Sequence, residues 1–338
     1  MVESPTPSEI ISKAQPKRSR LAKIFGAGAS LAIFTASIAV LYHLIQEVSF
    51  ADVEAAFRKA GQDQLWLAAL FTIFSYTLLA GYDALALRQL KVKISTFKML
   101  LASFTSYAIS FTLGFPIVTA GTVRYWIYSS SHVSASKVIS LTLIAGMTFI
   151  LGMATVLGIG LVWQSEAISF LNQLAISANR LSGMAVLSGI FVYLVWAAAK
   201  RRHVKIHNFV IELPTIGVSA GQLFLGAADV CVAAAVLYVL LPEGHSIAFE
   251  TFAAVYAFAS LLGVASNAPG GLGVFEATIL LAFQSLPKDG MIGALLLFRL
   301  CYYLAPFAVA VVTLGIYEIV MRIIKFNARQ KKSKSVSS

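Results

Sequence analysis

Acidic residues are scarce in this chain, and so is charge of any kind. Asp and Glu number 15 and Lys and Arg 26, together 12% of 338 residues, against 58% hydrophobic. A soluble domain has no use for so much apolar surface, because a single core stops growing at roughly 250–300 residues. Cysteine is nearly missing as well. Cys231 and Cys301 both fall in apolar stretches, where two residues build no disulfide framework and each serves as a small hydrophobe. The alternating ten-residue pattern of an outer-membrane barrel is absent. So are a nucleophile–base pair at helical spacing and a carboxylate cluster suited to Mg²⁺, so the sequence points to no catalytic residue, no metal and no cofactor. His203-x-x-x-His207 has metal-ligand spacing but sits in a basic loop with no acidic or Cys partner nearby. Pro269-Gly-Gly-Leu-Gly273 lacks the βαβ context of a nucleotide loop.

What the chain does have is repeated runs of about twenty apolar residues, the length that matches a bilayer. They fall at approximately 24–45, 65–87, 97–118, 137–163, 181–199, 215–241, 249–286 and 290–321. The net charge of +11 follows the same plan, since 19 of the 26 basic residues cluster at 13–23, 88–98, 200–205 and 322–334, beside apolar runs. Charge placed in this way orients a membrane protein rather than binding nucleic acid, with attraction to anionic headgroups second. The expected fold is an all-α polytopic membrane protein of the bacterial inner membrane. Residues 1–20 read as a disordered, basic, cytoplasmic N-terminus, 21–325 as one transmembrane domain and 326–338 as a basic cytoplasmic tail. The polar start resembles the front of a signal peptide, but the apolar run Ile24 to Ile45 is too long for a cleaved one and reads as a retained first helix. Phe50 to Gln62 reads equally as a short interfacial helix or as a polar loop.

Two apolar runs are interrupted. One contains Gly114, Pro116 and Gly121; the other contains Pro269, Gly270, Gly271 and Gly273. Proline removes a backbone donor and glycine weakens a helix by roughly 1 kcal/mol relative to alanine. Broken backbone at membrane depth persists only where protein or water covers it. Parity of the basic clusters decides between a crossing and a hairpin. Residues 88–98, 200–205 and 322–334 all fall on the cytoplasmic side only if 97–136 and 249–286 each enter and leave by one face. The expectation is about six full transmembrane helices plus two re-entrant hairpins, one from each side. Three crossings per half, about 21–165 and 180–323, would invert the second half relative to the first. Tyr107-Ala108 and Leu113-Gly114 match Tyr256-Ala257 and Leu262-Gly263 at a constant offset of 149, as an inverted repeat would. In such folds the substrate site lies where the broken helices meet.

An ionisable side chain near the bilayer centre costs about 2.5–3.5 kcal/mol, so each one needs a reason. Asp83, Arg124, Asp229, Glu276 and Arg299 are the candidates, with Asp83 close enough to Arg88 to belong instead to the cytoplasmic interface. They read either as internal ion pairs holding helices together or as a binding site. In a site, Arg124 and Arg299 with exposed helix N-termini suit a phosphate, and Asp229 and Glu276 suit an ammonium group. Arg124 and Glu276 both follow helix breaks in opposed halves and are expected to reach one cavity.

Gly121-Thr-Val-Arg-Tyr-Trp-Ile-Tyr128, Ser266-Asn-Ala-Pro-Gly-Gly-Leu-Gly-Val-Phe-Glu276, Phe298-Arg299-Leu-Cys-Tyr-Tyr303 and Pro306 resemble the transmembrane flippase region of lysyl-phosphatidylglycerol synthase/flippases, the multiple peptide resistance factor family. The likeness covers about residues 20–325. It implies movement of aminoacylated phosphatidylglycerol between leaflets, with functional charges at Asp83, Arg124, Glu276 and Arg299. Only a Lys-rich tail follows residue 325, so the synthase domain is expected to be missing and any lipid-modifying synthase to be a separate partner. A membrane phospholipid is the expected ligand and a homo-oligomer is compatible with the sequence. The leading expectation is a lipid translocase without covalent chemistry. The alternative is an integral-membrane transferase or accessory subunit acting on a lipid-linked donor, in a hopanoid or polyprenyl-sugar pathway.

Overall fold

A computed structural model describes residues 50–114, 116–131, 133–198, 203–206, 209–212, 214–266 and 269–334. The expected helix at 24–45 and the N-terminal tail lie outside the described residues, as do Lys200, Arg201 and Arg202. The chain is an α-helical, multi-pass membrane protein. Helix α1 (Phe50–Lys59) settles the ambiguous segment as a helix, and it packs its buried Ala56 against Gly293 of α11 (Lys288–Phe298). Helix α2 (Gln62–Gln89) follows. A first hairpin is made by α3 (Thr96–Leu113) and α4 (Pro116–Ser129), and then comes α5 (Ala135–Trp163). Short α6 (Ser165–Asn172) leads to α7 (Ile176–Ala198). The second part of the chain repeats the order. Helix α8 (Ile216–Tyr238) precedes a hairpin of α9 (Phe249–Ala265) and α10 (Val274–Ala282), and α11 runs on through a π-helical turn (Arg299–Leu304) into α12 (Ala305–Lys334).

Length and apolar composition together separate the two kinds of element. Among the described residues α2, α5, α7, α8 and the apolar stretch Lys288–Ile324 are long enough to cross a membrane. The hairpin helices are not: 18 and 14 residues in the first and 17 and 9 in the second give about 27, 21, 26 and 14 Å, against about 30 Å of hydrocarbon. Both hairpins are antiparallel. Tyr107 on α3 lies under Arg124 on α4, each about as far from the break as the other. Phe252 stacks on Phe283 just beyond α10, Tyr256 meets Phe275, and Gly263 meets Gly271, so partners descend as α9 ascends.

The one departure from helix expectations among the described residues is a two-stranded hairpin, β1 (His203–Ile206) with β2 (Phe209–Glu212), in the stretch read as a basic loop. Val204, Ile206, Val210 and Ile211 favour extended backbone there.

Small residues bring the two halves together. A Cβ placed on Gly152 of α5 would stand 2.2 Å from the backbone of Gly226 on α8, so these helices cross in backbone contact. One apolar core gathers α8 to α11; a second gathers α2 to α4 with Phe307, Ala310 and Leu314 of α12. Helix α7 buries little beyond Asn179 and Gly183, and its apolar remainder faces outward, as lipid contact requires.

Candidate functional site

The tips of the two hairpins meet. At the first tip Gly114 ends α3 with φ 77, a backbone that only glycine adopts freely, and Pro116 opens α4, where a missing N–H is harmless. At the second, Gly270, Gly271 and Gly273 have φ of 59, 66 and 82 and turn the chain tightly after Pro269. Gly270 approaches so close to the first hairpin that a Cβ on it would stand 3.3 Å from the carbonyl oxygen of Phe111. Gly121 lies further along α4, facing Thr142 of α5.

Each hairpin supplies one member of an ion pair, Arg124 in the first and Glu276 in the second, and the pairs differ in access. Arg124 donates from Nε to Asp83 Oδ2 at 3.0 Å and from Nη2 to Oδ1 at 2.8 Å, with its guanidinium 4.8 Å above the Tyr107 ring. Both side chains are sealed, at 1% and 0% exposure. Asp83 is therefore a core residue and not part of an interface with Arg88. Helix α3 also carries Ser103, Thr105, Ser106, Ser110 and Thr112 on its buried surface, each hydroxyl donated to a backbone carbonyl.

Arg299 is held at the second tip. It donates from Nε to Glu276 Oε1 at 2.6 Å and from Nη1 to the carbonyl of Gly270 at 2.6 Å, and it lies 4.5 Å above the Tyr303 ring. The other oxygen of Glu276 accepts from the N–H of Gly273 at 2.9 Å, so one carboxylate caps its own helix and pairs with the arginine. This pair keeps 14% and 22% of its side-chain surface open. Arg124 and Glu276 thus do not pair with each other, and neither arginine stands free for a phosphate. Arg124 is satisfied by Asp83 of α2, and Arg299 of the π-helical turn by Glu276 of the second hairpin, because a buried unpaired charge is too expensive to keep.

Asp229 stands apart, with no cation beside it among the described residues. Ser75 and Tyr82 of α2 donate to its two oxygens at 2.5 and 3.0 Å, and the hydroxyls of Ser75 and Tyr302 are 2.8 Å apart. Pro306 brings no N–H toward the carbonyl of Tyr302, and the Tyr76 hydroxyl donates to that oxygen at 3.3 Å. Sequence reasoning missed these hydroxyls. The available signal was the run Phe298 to Tyr303, dense in aromatic rings around one arginine.

The pattern of the lysylphosphatidylglycerol synthase TM region matches residues 28–310, most of the chain. The chain belongs to the lysylphosphatidylglycerol synthase TM region family. Within it, the chain is 31% identical over 322 residues to the uncharacterized protein slr0712 of Synechocystis sp., covering 94% of this chain and 98% of the relative. It is 28% identical over 307 residues to the inner membrane protein YbhN of Escherichia coli, covering 89% and 94%. Phosphatidylglycerol lysyltransferase of Staphylococcus aureus is 25% identical over 305 residues, covering 83% of this chain but 32% of that longer protein.

Proposed function

We propose that the protein is a lipid translocase of the inner membrane that passes the headgroup of an aminoacylated phosphatidylglycerol between leaflets. The observation that carries this reading is the contrast between the two ion pairs. Asp83–Arg124 is sealed and holds the first hairpin in place. Glu276–Arg299 is open to solvent or lipid at the point where the hairpin tips meet. A headgroup that bears both a phosphate and an ammonium can part this pair without stranding either charge. The phosphate takes Arg299 through its N–H fork while the ammonium takes Glu276. Gly270 and Gly271 bring bare backbone to the same place. The acyl tails stay in lipid throughout, so only the headgroup needs a polar path. This reading assigns no bond-making step to the protein.

The membrane setting and the lipid class are supported by the relatives, one named for the inner membrane and another for phosphatidylglycerol. We read the recurring order of long helix, broken hairpin and long helix as an inverted repeat, with both termini and the β1–β2 hairpin on the cytoplasmic side. A separate lipid-modifying synthase would supply an aminoacylated substrate. The test is leaflet exchange in liposomes that contain the purified protein and fluorescently labelled phosphatidylglycerol or lysyl-phosphatidylglycerol. Protein-dependent exchange with the lipid chemically unchanged supports the translocase. A new lipid product makes the protein a transferase instead.

A further inference from the structure

Asp229 is the charge that the headgroup reading leaves unused. Its carboxylate is buried on α8 and is met by hydroxyls alone among the described residues. Ser75 gives its one hydrogen to Asp229, so Tyr302 is the donor in the contact between them. A carboxylate in an apolar span needs a reason to be there, and one met by hydroxyls with no cation beside it among the described residues is placed to hold a proton.

The surroundings contain few other ionisable groups. Helix α2 contributes Tyr76, Tyr82 and Asp83, and Asp83 is committed to Arg124. Tyr107 of α3, Tyr256 of α9 and Tyr302 of the π-helical turn lie within range of the Asp229 charge, as does Cys231 two residues along α8. Helix α5, packed on α8, has no ionisable residue beyond Lys137 in its first turn. Tyr193 of α7 is bonded further along α8, at Ser219 and Gln222. On α11 only Lys288 and Asp289, at its start, are charged.

We infer that Asp229 is a proton-binding site whose loading acts on both ion pairs and couples proton movement to headgroup passage. A proton taken up on Oδ1 turns that oxygen into a donor. Ser75 must then accept from it and donate to Tyr302, which reverses the hydroxyl chain without any net change beyond the one proton gained. The link to the charges is short. Tyr82 directly precedes Asp83 on α2, and Tyr302 follows Arg299 by three residues in the π-helical turn. The coupling rests on the translocase reading; proton binding does not.

Infrared difference spectra between acid and alkaline pH, on the whole chain in nanodiscs, test the site directly. The wild type is expected to show a protonated-carboxyl band that Asp229→Asn removes and Tyr82→Phe shifts in frequency. Asp229→Glu keeps a carboxyl in the same hydroxyl shell and is expected to retain a band, which separates loss of the proton from loss of the fold. A wild-type spectrum left unchanged by Asp229→Asn overturns the site. In liposomes, exchange of labelled lysyl-phosphatidylglycerol is expected to rise several-fold under an imposed pH difference, and Asp229→Asn is expected to lose that response. Wild-type exchange that ignores the gradient overturns the coupling. No wild-type exchange under any gradient overturns the translocase reading and the coupling with it, while the infrared result alone decides the proton site.

Discussion

Arg124 grips Asp83 through two parallel hydrogen bonds, at 3.0 and 2.8 Å, in a place neither solvent nor lipid reaches. Removing one partner strands the other. Arg124→Ala and Asp83→Ala are each expected to destabilise the protein by about 3–5 kcal/mol, whereas the apolar double substitution Asp83→Leu with Arg124→Met recovers most of the loss. Thermal unfolding in detergent measures this. Single variants that melt with the wild type would sink the structural role of the pair.

Glu276 and Arg299 respond differently because their pair is partly open. Glu276→Gln keeps the bond to Gly273 through its amide oxygen and is expected to leave abundance near the wild-type level. Exchange of lysyl-phosphatidylglycerol falls about 10- to 150-fold, the loss of one charge-assisted bond worth about 1.5–3 kcal/mol. Combining Arg124→Glu with Glu276→Arg places like charges opposite Asp83 and opposite Arg299. That double variant is expected to fold worse than either single change, as fluorescence-detected size exclusion would show.

Gly270 and Gly271 occupy left-handed backbone, where an L-residue costs about 1–2 kcal/mol each. Added side chains also crowd Arg299 Nη1 at 3.2 Å and the Cα of Gly263 at 3.1 Å. The pair Gly270→Leu and Gly271→Leu is expected to abolish lipid exchange before it abolishes insertion. Wild-type exchange at equal abundance would make this turn a mere connector.

Gly152→Val and Gly226→Val are expected to force α5 and α8 apart and cost about 1–3 kcal/mol each, as overpacking does. Gly189 supplies the control. Nothing lies within 4 Å of the space a Cβ would fill, so Gly189→Ala is expected to be neutral or to stabilise α7 by up to about 1 kcal/mol. Unfolding midpoints of the three variants measured side by side decide the matter.

Single cysteines at Lys205 and at His245, in a background without Cys231 and Cys301, report orientation. The first is expected to react with an impermeant thiol reagent only from the cytoplasmic side and the second only from outside. Labelling of residue 205 from outside would overturn the two-hairpin topology.

Much of this architecture is written in the order of residues. Runs of apolar side chains of bilayer length mark the long helices, and Gly114, Pro116 and Pro269 to Gly273 mark the breaks, because both signals act locally. All five charges stand out for the same reason, as a charge in an apolar run needs no partner to be noticed. Their pairing does not show. Arg124 is 41 residues from Asp83 and Arg299 is 23 from Glu276, and only the packing of each hairpin against a long helix decides who meets whom. The Asp229 hydroxyl shell is still less visible. Ser75 and Tyr302 are 227 residues apart, and neither type of residue is unusual in a helix. The β1–β2 hairpin was hidden by its charges, which masked the alternation of Val and Ile beneath them.

The π-helical turn at Arg299–Leu304 gives the long C-terminal rod one residue more than its α-helical windings require. Before the turn, the rod presents Arg299 to the second hairpin. After it, Phe307, Ala310 and Leu314 face the first, and Glu318 accepts from the Trp126 indole at 3.1 Å. Deleting a single residue inside the turn would restore an unbroken α-helix and rotate everything downstream by about 100°. Every side chain would survive, yet the apolar row would point away from α3 while Arg299 stayed where it is. The two hairpins are thus kept in phase along one shaft by a count of residues, and a one-codon deletion there is expected to be more damaging than most substitutions at the same positions.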